Sequence, residues 1–209
     1  MTGNKITDII SILKKEYPSA KIALEFKNPL QLLVSTILSA QCTDARVNIV
    51  TKELFKKYKT VSDYANADLK KFEQEIHSTG FYHNKAKNII NAAKIILTKF
   101  KGKVPNTMDG LLTLPGVARK TANIVLTNAY GIIEGIAVDT HVKRVAYRIG
   151  LTKNSDPEKI EQDLMKIVDR KDWGKLSNIL IMHGRKICDA KKPDCEHCCI
   201  NKLCEKNGL

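Results

Sequence analysis

The chain has 209 residues, of which 43% are hydrophobic, so it is long and apolar enough to bury a sizeable core, and disorder is excluded as the default state. Its 35 Lys and Arg against 22 Asp and Glu give a net charge of +13. That excess favours a polyanionic partner such as nucleic acid over a lysine-rich surface that is merely solvated. No stretch is apolar enough to span a bilayer, and the N-terminus does not look like a targeting signal, so we expect a cytoplasmic protein with no membrane partner.

Apolar residues recur at helical spacing from the start of the chain. Those between residues 6 and 13 predict a first helix. Asn28-Pro29 predicts an N-cap followed by proline in the first turn of a second helix, which runs through Leu38. Asp44 is expected to cap the third helix. Cys42 lies in this apolar helical context and is predicted to be a small buried hydrophobe.

The remaining start and stop signals also belong to helices, and nothing alternates at the period of two that strands require. N-caps are expected at Thr107, Asp139 and Asp156, and breaks or helix ends at Gly80, Gly102 and Gly150. The sequence therefore predicts an all-α protein of about ten helices joined by short loops.

Five of the six cysteines lie between Cys188 and Cys204, and four of them have the spacing Cys188-x6-Cys195-x2-Cys198-x5-Cys204. Clustering at one end of an intracellular chain indicates metal binding rather than disulfides. Zinc ribbons usually bring two Cys-x2-Cys pairs, and only one is present. The longer spacers favour a [4Fe–4S] cube, with zinc as the alternative. Cys199 is left over, and its side chain should point elsewhere.

The segment from Leu114 to Asn123 predicts two helices joined by a tight turn. Gly116 lets the backbone approach a partner closely. The amides at the start of the second helix suit a phosphate group. Arg119 and Lys120 follow the turn directly, which favours a contact with DNA phosphates over an ordinary αα-hairpin.

With these residues in view, the chain resembles the helix–hairpin–helix DNA glycosylases over nearly its whole length. The resemblance rests on SAQCTD at 39–44, GFY at 80–82, LPGVARKTAN at 114–123, AVDTH at 137–141 and the cysteine tail. It implies an all-α, two-lobed fold with a DNA-binding cleft between the lobes.

The same resemblance implies how the chain divides between the lobes. Residues 23–133 would form a helical barrel lobe, with the helix–hairpin–helix at about 107–130. Residues 1–22 and 134–209 would form the second lobe. Its loop 188–204 would hold a [4Fe–4S] cluster, with these ligands: Cys188, Cys195, Cys198 and Cys204.

Two residues receive catalytic roles from the resemblance. Lys120 matches the amine that attacks C1′ of the damaged nucleotide, expels the base and leaves a Schiff base; the amine must be neutral to attack. Asp139 matches the carboxylate that stabilises positive charge developing on the sugar and helps to deprotonate the lysine. Taken alone, either residue would more often be a solvated charge or a helix cap.

Lys120 also indicates the branch of the family. Branches that act on adenine and thymine mismatches usually carry serine or tyrosine at this position and cleave the base with water. Lysine favours a bifunctional glycosylase and apurinic/apyrimidinic lyase that removes oxidised pyrimidines from damaged double-stranded DNA. A monofunctional mismatch glycosylase and a non-catalytic, cluster-containing DNA-binding protein remain as alternatives. We expect a monomer that associates with the nucleoid when bound to DNA.

The resemblance assigns the other DNA contacts as well. Gln41 would enter the gap left by the flipped base, and Phe81 would wedge the opposite strand, with burial of Phe81 in the core as the alternative. Gly116, Ala118 and Arg119 would contact the backbone of DNA. Ala118 replaces the second glycine that is usual in the hairpin, and we expect it to be helical and therefore unstrained.

Overall fold

The computed structural model describes residues 3–209. All regular secondary structure in that range is helical, and no strand is present there. The helices are α1 (Gly3–Glu16), α2 (Pro29–Leu38), α3 (Asp44–Lys57), α4 (Val61–Ala65), α5 (Leu69–Ile76), α6 (Tyr82–Lys99), α7 (Met108–Leu112), α8 (Arg119–Val125), α9 (Thr140–Ile149), α10 (Pro157–Ile167) and α11 (Arg170–Lys186). A 3-10 turn at His77–Thr79 precedes α6, and a π-helical turn at Leu126–Tyr130 extends α8. The all-α prediction is confirmed.

Contacts between Cα atoms divide the chain into two compact units. One is Ala23–Glu134, which carries the predicted hairpin and is called the hairpin unit below. The other combines Met1–Ile22 with Gly135–Leu209, and it is called the tail unit.

Helix α2 forms one part of the core of the hairpin unit, because this helix is apolar on most sides. Every residue from Leu32 to Leu38 is buried. A second part of the core is aromatic: the rings of Tyr64 and Phe72 are fully buried and meet edge to face, with centroids 6.0 Å apart. Burying a side chain of this size contributes about 1.5–3 kcal/mol, so these rings hold the short helices α4 and α5, both of which pack against α6.

In the tail unit, α1 and α9 both pack against α11. The shared core includes Ile9, Leu13 and Val142, none of which is accessible to solvent. Arg148 on α9 is also buried, and its guanidinium donates to the carbonyls of Asp189 at 2.5 Å and Ala190 at 2.9 Å. Helix α9 is thereby linked to the cysteine segment at the end of the chain.

Most of the predicted helix ends are confirmed. The side chains of Asn28, Thr107, Asp139 and Asp156 each accept a hydrogen bond from a backbone amide in the first turn of the helix that follows. Gly150 ends α9 in the left-handed conformation, with φ of 94°. No helix among the described residues is long and apolar enough to cross a membrane.

Two predictions near the start of α3 are wrong. Thr43, rather than Asp44, is the N-cap: its hydroxyl accepts from the Arg46 amide at 3.3 Å, and Asp44 is the first residue of the helix. Cys42 lies in the loop between α2 and α3 and is half-buried, so it is not a core residue of a helix.

Candidate active site and metal centre

The predicted hairpin is present between α7 and α8. Gly116 has φ of 77°, which side-chain-bearing residues rarely adopt, and a Cβ there would lie 3.0 Å from the side chain of Asn88. The turn therefore requires glycine for its conformation and for its packing. Ala118 is the N-cap of α8, with φ of −96° and ψ of 172°. It is extended rather than helical, which corrects our expectation, and it is unstrained because φ is negative.

Arg119 and Lys120 are the first two residues of α8. Lys120 is exposed, and Arg119 beside it in the first turn is half-buried. No side chain caps this end of the helix, because Ala118 has no acceptor atom to offer. The first turn of α8 thus presents backbone amides beside a solvent-accessible amine, and this arrangement suits an anionic ligand.

Asp139 lies in the tail unit, where it caps α9. Its Oδ1 accepts from the Val142 amide at 2.8 Å, and its Oδ2 lies 3.2 Å from Nδ1 of His141. The side chain is 17% exposed, so the carboxylate is held in one orientation but remains reachable. The cap and a chemical role for Asp139 are compatible.

Three of the predicted DNA-binding residues line one cavity of the hairpin unit, namely Gln41, Phe81 and Gly116. Gln41 and Phe81 both have left-handed backbones, with φ of 52° and 48°. Phe81 is 63% exposed, which contradicts the alternative that it is a core residue. A phenyl ring held in solvent at the edge of a cavity is available to stack on a base.

Lys85 lines the same cavity, and sequence reasoning missed it. Only 4% of this residue is exposed, and its ammonium donates to the carbonyl of Leu38 at 2.8 Å and that of Thr79 at 2.7 Å. Burial lowers the pKa of this amine. The signal that could have found it is positional: Lys85 lies four residues before the buried Ile89, on the apolar face of α6.

The four predicted ligands in the tail line a second cavity, which His183, Arg148 and Asn201 share: Cys188, Cys195, Cys198 and Cys204. Cys199 is exposed and is absent from that lining. Within residues 3–209, no group of three or more His, Cys, Asp or Glu side chains is placed to hold a metal ion. What the four cysteines share is the cavity that they line.

The chemistry of this cavity fits a group that binds thiolates. Burial, with the neighbouring cysteines adding to it, raises the pKa of the Cys198 thiol to about 11 and also raises the pKa of Cys204. Four thiolates would be costly there without a compensating cation. Arg148 donates to the Cys188 sulfur at 3.5 Å, and the buried Oδ1 of Asn201 has no partner.

His183 adds a further contact to this cavity. Its Nε2 lies 3.7 Å from the Cys198 sulfur, and its Nδ1 lies 3.0 Å from the hydroxyl of Tyr17. Burial lowers the pKa of His183 to about 4, so the ring is neutral at neutral pH. A tautomer with its proton on Nε2 accepts from Tyr17 and donates to Cys198.

The all-helical fold and its hairpin are those of a class of base-excision DNA repair proteins. Residues 34–170 match the HhH-GPD superfamily of base excision DNA repair proteins, and the chain belongs to this family. It is 54% identical over 200 residues to endonuclease III of Synechocystis sp., an alignment that covers 96% of this chain and 91% of the relative. It is 46% identical over 200 residues to endonuclease III of Bacillus subtilis, with 92% and 91% covered.

Solved structures agree with the sequence relatives. A trapped covalent intermediate of endonuclease III with DNA has a TM-score of 0.94 and 42% identity, and the match covers 99% of this chain and 97% of that one. A thermostable thymine-DNA glycosylase has a TM-score of 0.87 at 22% identity, with 97% and 96% covered, and shares the fold.

Proposed function

We propose that this base-excision DNA glycosylase is bifunctional: it removes oxidised pyrimidines from duplex DNA and then cuts the strand through a Schiff base on Lys120. The observation that carries the proposal is the accessible amine of Lys120 in the first turn of α8, directly after the turn of the hairpin. The relatives support it, because they are endonuclease III enzymes and one was captured in a covalent intermediate with DNA.

The proposed reaction begins with attack by the neutral amine of Lys120. Nζ of Lys120 forms a bond to C1′ as the bond from C1′ to the base breaks, and the departing base takes up a proton. Ring opening of the sugar gives the Schiff base, which acidifies the proton on C2′. Loss of that proton and departure of the 3′ phosphate complete β-elimination, and water then releases the lysine.

Asp139 is proposed to act on the same nucleotide as Lys120. Its carboxylate would stabilise positive charge on the sugar and accept a proton from the attacking amine. The hydrogen bond from the Val142 amide fixes Oδ1, which leaves Oδ2 and its contact with His141 as the more adaptable side. Orientation of this kind reduces the reorganisation needed in the transition state.

Binding of DNA is proposed to use the hairpin unit in two ways. Gly116, Ala118 and Arg119 would contact the phosphate backbone without reading sequence. Gln41 would enter the space that a flipped nucleotide leaves, and Phe81 would wedge the opposite strand, with its aromatic ring stacking on the exposed base. Support for the second role comes from their exposure and from the cavity that both residues line.

The cysteine cavity is proposed to hold a [4Fe–4S] cluster through these ligands: Cys188, Cys195, Cys198 and Cys204. When bound, such a group supplies a covalent cross-link for the tail and a one-electron redox centre. Around it, Arg148 and His183 place N–H donors at two of the sulfurs. Broad visible absorption together with iron and sulfide in the purified protein would support the cluster, and a colourless protein with zinc would contradict it.

Borohydride trapping tests the central proposal. Wild-type protein should form a covalent adduct with duplex DNA that contains thymine glycol or an abasic site, and Lys120→Ala should abolish the adduct. Lys94→Ala removes an exposed lysine from α6 and serves as the matched control, because it should trap like wild type. Release of the base without an adduct would indicate a monofunctional glycosylase. Tight binding to abasic DNA with neither reaction would indicate a non-catalytic protein.

We also propose that the enzyme acts as a cytoplasmic monomer that associates with the nucleoid when bound to DNA. One chain supplies both Lys120 and Asp139, so a second copy is not needed for the chemistry. Sedimentation of the protein alone and with one lesion-containing duplex should give a ratio of one protein per duplex.

A further inference from the structure

The two residues proposed to act where a nucleotide flips out of DNA are held by short loops. Gln41 lies in the five-residue loop 39–43 between α2 and α3, and Phe81 lies between the 3-10 turn and α6. Both residues have left-handed backbones, a conformation that a non-glycine residue keeps only when its surroundings enforce it. Both side chains are exposed, so their own packing does little to enforce it.

A single buried side chain connects the two loops. The ammonium of Lys85 donates to the carbonyl of Leu38, three residues before Gln41, and to the carbonyl of Thr79, two residues before Phe81. The backbone amide of Lys85 also donates to the carbonyl of Phe81 at 3.1 Å. Lys85 therefore contacts both loops at their starting points.

The contact with Leu38 has a second consequence. Leu38 is the last residue of α2, and the final carbonyls of a helix have no partner within the helix. A cation at this end interacts favourably with the helix dipole. The ammonium of Lys85 thus satisfies the carbonyl of the last residue of α2, at the point where the loop with Gln41 begins. Burial of a charged group is costly, which argues that these paired hydrogen bonds, rather than solvation, determine its position.

We infer that Lys85 is a positioning residue that fixes the spacing between Gln41 and Phe81 before DNA arrives, so that Gln41 enters the gap as Phe81 wedges the opposite strand. The inference rests on the proposed function, because it holds that the fixed conformation of the two loops serves base flipping. Preorganised loops lose less conformational freedom on binding. The effect belongs to duplex DNA, since a single strand leaves no gap in a stacked helix to be filled.

The test is Lys85→Met, which removes the charge and all donors while keeping an unbranched side chain. Its matched control is Lys87→Met, an exposed lysine two residues along the same helix. On duplex abasic DNA, we expect Lys85→Met to raise the half-saturating protein concentration about 10-fold to 100-fold, the effect of losing a buried charged partner. The rate at saturation should change much less. Cleavage of single-stranded abasic DNA should stay within about twofold of wild type, as should Lys87→Met on both substrates.

A double-mutant cycle shows whether Lys85 acts through Gln41 and Phe81. In a Gln41→Ala, Phe81→Ala background, Lys85→Met should have little further effect on duplex binding. A full additional loss there, or an equal loss on duplex and single-stranded DNA, would overturn the proposal. Lys85→Arg keeps the donors but adds a longer, forked group, so it should give a smaller loss, again on duplex only. It serves in the same cycle if the methionine variant does not fold.

Amide hydrogen exchange tests the positioning role of Lys85 without measuring enzymatic activity. In Lys85→Met, amides of residues 39–43 and 79–82 should exchange about 10-fold faster or more, while those of the hairpin at 113–118 should be unchanged. Unchanged exchange in both loops would refute the positioning role. Failure of wild-type protein to trap on abasic DNA would refute the proposed lyase activity. The role of Lys85 would then be decided by the exchange result and by binding to a tetrahydrofuran abasic analogue.

Discussion

The backbone conformation of single residues determines which side chains the hairpin unit exposes to solvent around its cavity. Gly116 turns the chain with φ of 77°, while Gln41 and Phe81 adopt φ of 52° and 48° despite carrying side chains. Left-handed non-glycine residues cost of order 1 kcal/mol or more and are enriched at functional sites. Their presence in the two loops that line one cavity agrees with the proposed role of these loops in binding DNA.

Gly116→Ala should weaken both stability and DNA binding. The added Cβ meets the Asn88 side chain at 3.0 Å, in a backbone conformation that alanine disfavours. We expect a loss of about 1–3 kcal/mol in the free energy of unfolding by urea, together with weaker binding to abasic duplex. Gly131→Ala is the control, because Gly131 also has positive φ, of 68°, but a Cβ there has nothing within 4 Å. Equal losses for the two variants would show that the contact with Asn88 does not matter.

Substitutions of Asp139 should separate its cap from its chemistry. Asparagine caps a helix about as well as aspartate does, so Asp139→Asn should unfold near the wild-type temperature yet lose about 100-fold or more in single-turnover base release. Asp139→Ala should lose the same activity and, in addition, about 1 kcal/mol of stability. Retention of activity by the asparagine variant would rule out a role for the carboxylate charge.

At the scale of elements, capping side chains and buried polar contacts decide where helices begin and what they hold. The loop between α9 and α10 is an example, since Asp163 on α10 accepts from the Thr152 hydroxyl at 2.5 Å and the Asn154 amide at 2.7 Å. The hydrogen bonds from Thr152 and then Asn154 lower the pKa of Asp163. The carboxylate form is therefore the one that the fold stabilises.

Asp163→Asn should destabilise the protein in a pH-dependent way. The wild-type carboxylate has a folded-state pKa below its ordinary value of 3.8. Its contribution is thus fully present above about pH 4 and is lost as the pH falls through the folded pKa. We expect a difference of about 1 kcal/mol in urea unfolding at neutral pH, discounted for partial exposure, which shrinks below about pH 4. A difference that stays constant down to about pH 3 would contradict the assignment.

Much of the fold follows from local sequence signals, because caps and glycines act within one turn. Asn28, Thr107 and Gly150 lie where the sequence places helix ends. Thr43 and Asp44 are adjacent residues that both cap well, so only the hydrogen bond to Arg46 decides between them. Ala118 is similar. Its extended conformation comes from its place before the first turn of α8, and alanine as a residue type does not reveal that conformation.

The candidate site was less predictable where it depends on distant contacts. The motifs indicated Gln41 and Phe81, but sequence could not decide whether Phe81 is buried or exposed, because an aromatic residue suits both. Lys85 was missed because a lysine in a basic helix resembles a surface residue, and its partners Leu38 and Thr79 belong to other elements. The roles of Lys120 and Asp139 rest on family resemblance and remain predictions.

At the scale of the whole molecule, the net charge of +13 should control DNA affinity more than any one contact does. For undamaged duplex, about six neutralised phosphates would lower affinity about 10³-fold when salt is raised about fourfold. Fluorescence anisotropy across a salt series would measure this slope. Single-turnover strand cleavage at saturating protein should vary little over the same range. An affinity that does not change with salt concentration would contradict binding through phosphate contacts.

Removal of one cysteine should distinguish a ligand from a bystander. Cys195→Ser should lose most of about four iron and four sulfide per chain, together with the visible absorption and part of the thermal stability of the tail unit. Cys199→Ser should keep all of these, because Cys199 is exposed and lies outside the shared cavity. Iron analysis and thermal unfolding of both variants measure the effect, and equal losses would remove Cys195 from the proposed ligand set.

The composition of the tail unit from both ends of the chain has a consequence for synthesis on the ribosome. The hairpin unit ends at Glu134, so it is available to fold while the rest is still being translated. Helix α1 emerges first, yet Lys14 must wait for Asp172, 158 residues later, to form its ion pair at 2.6 Å. The apolar face of α1 therefore stays without its partner α11 for most of elongation. The first helix made is among the last to be packed, and a stalled ribosome would leave a nascent chain with its hairpin unit folded and Asp139 without the rest of the tail unit.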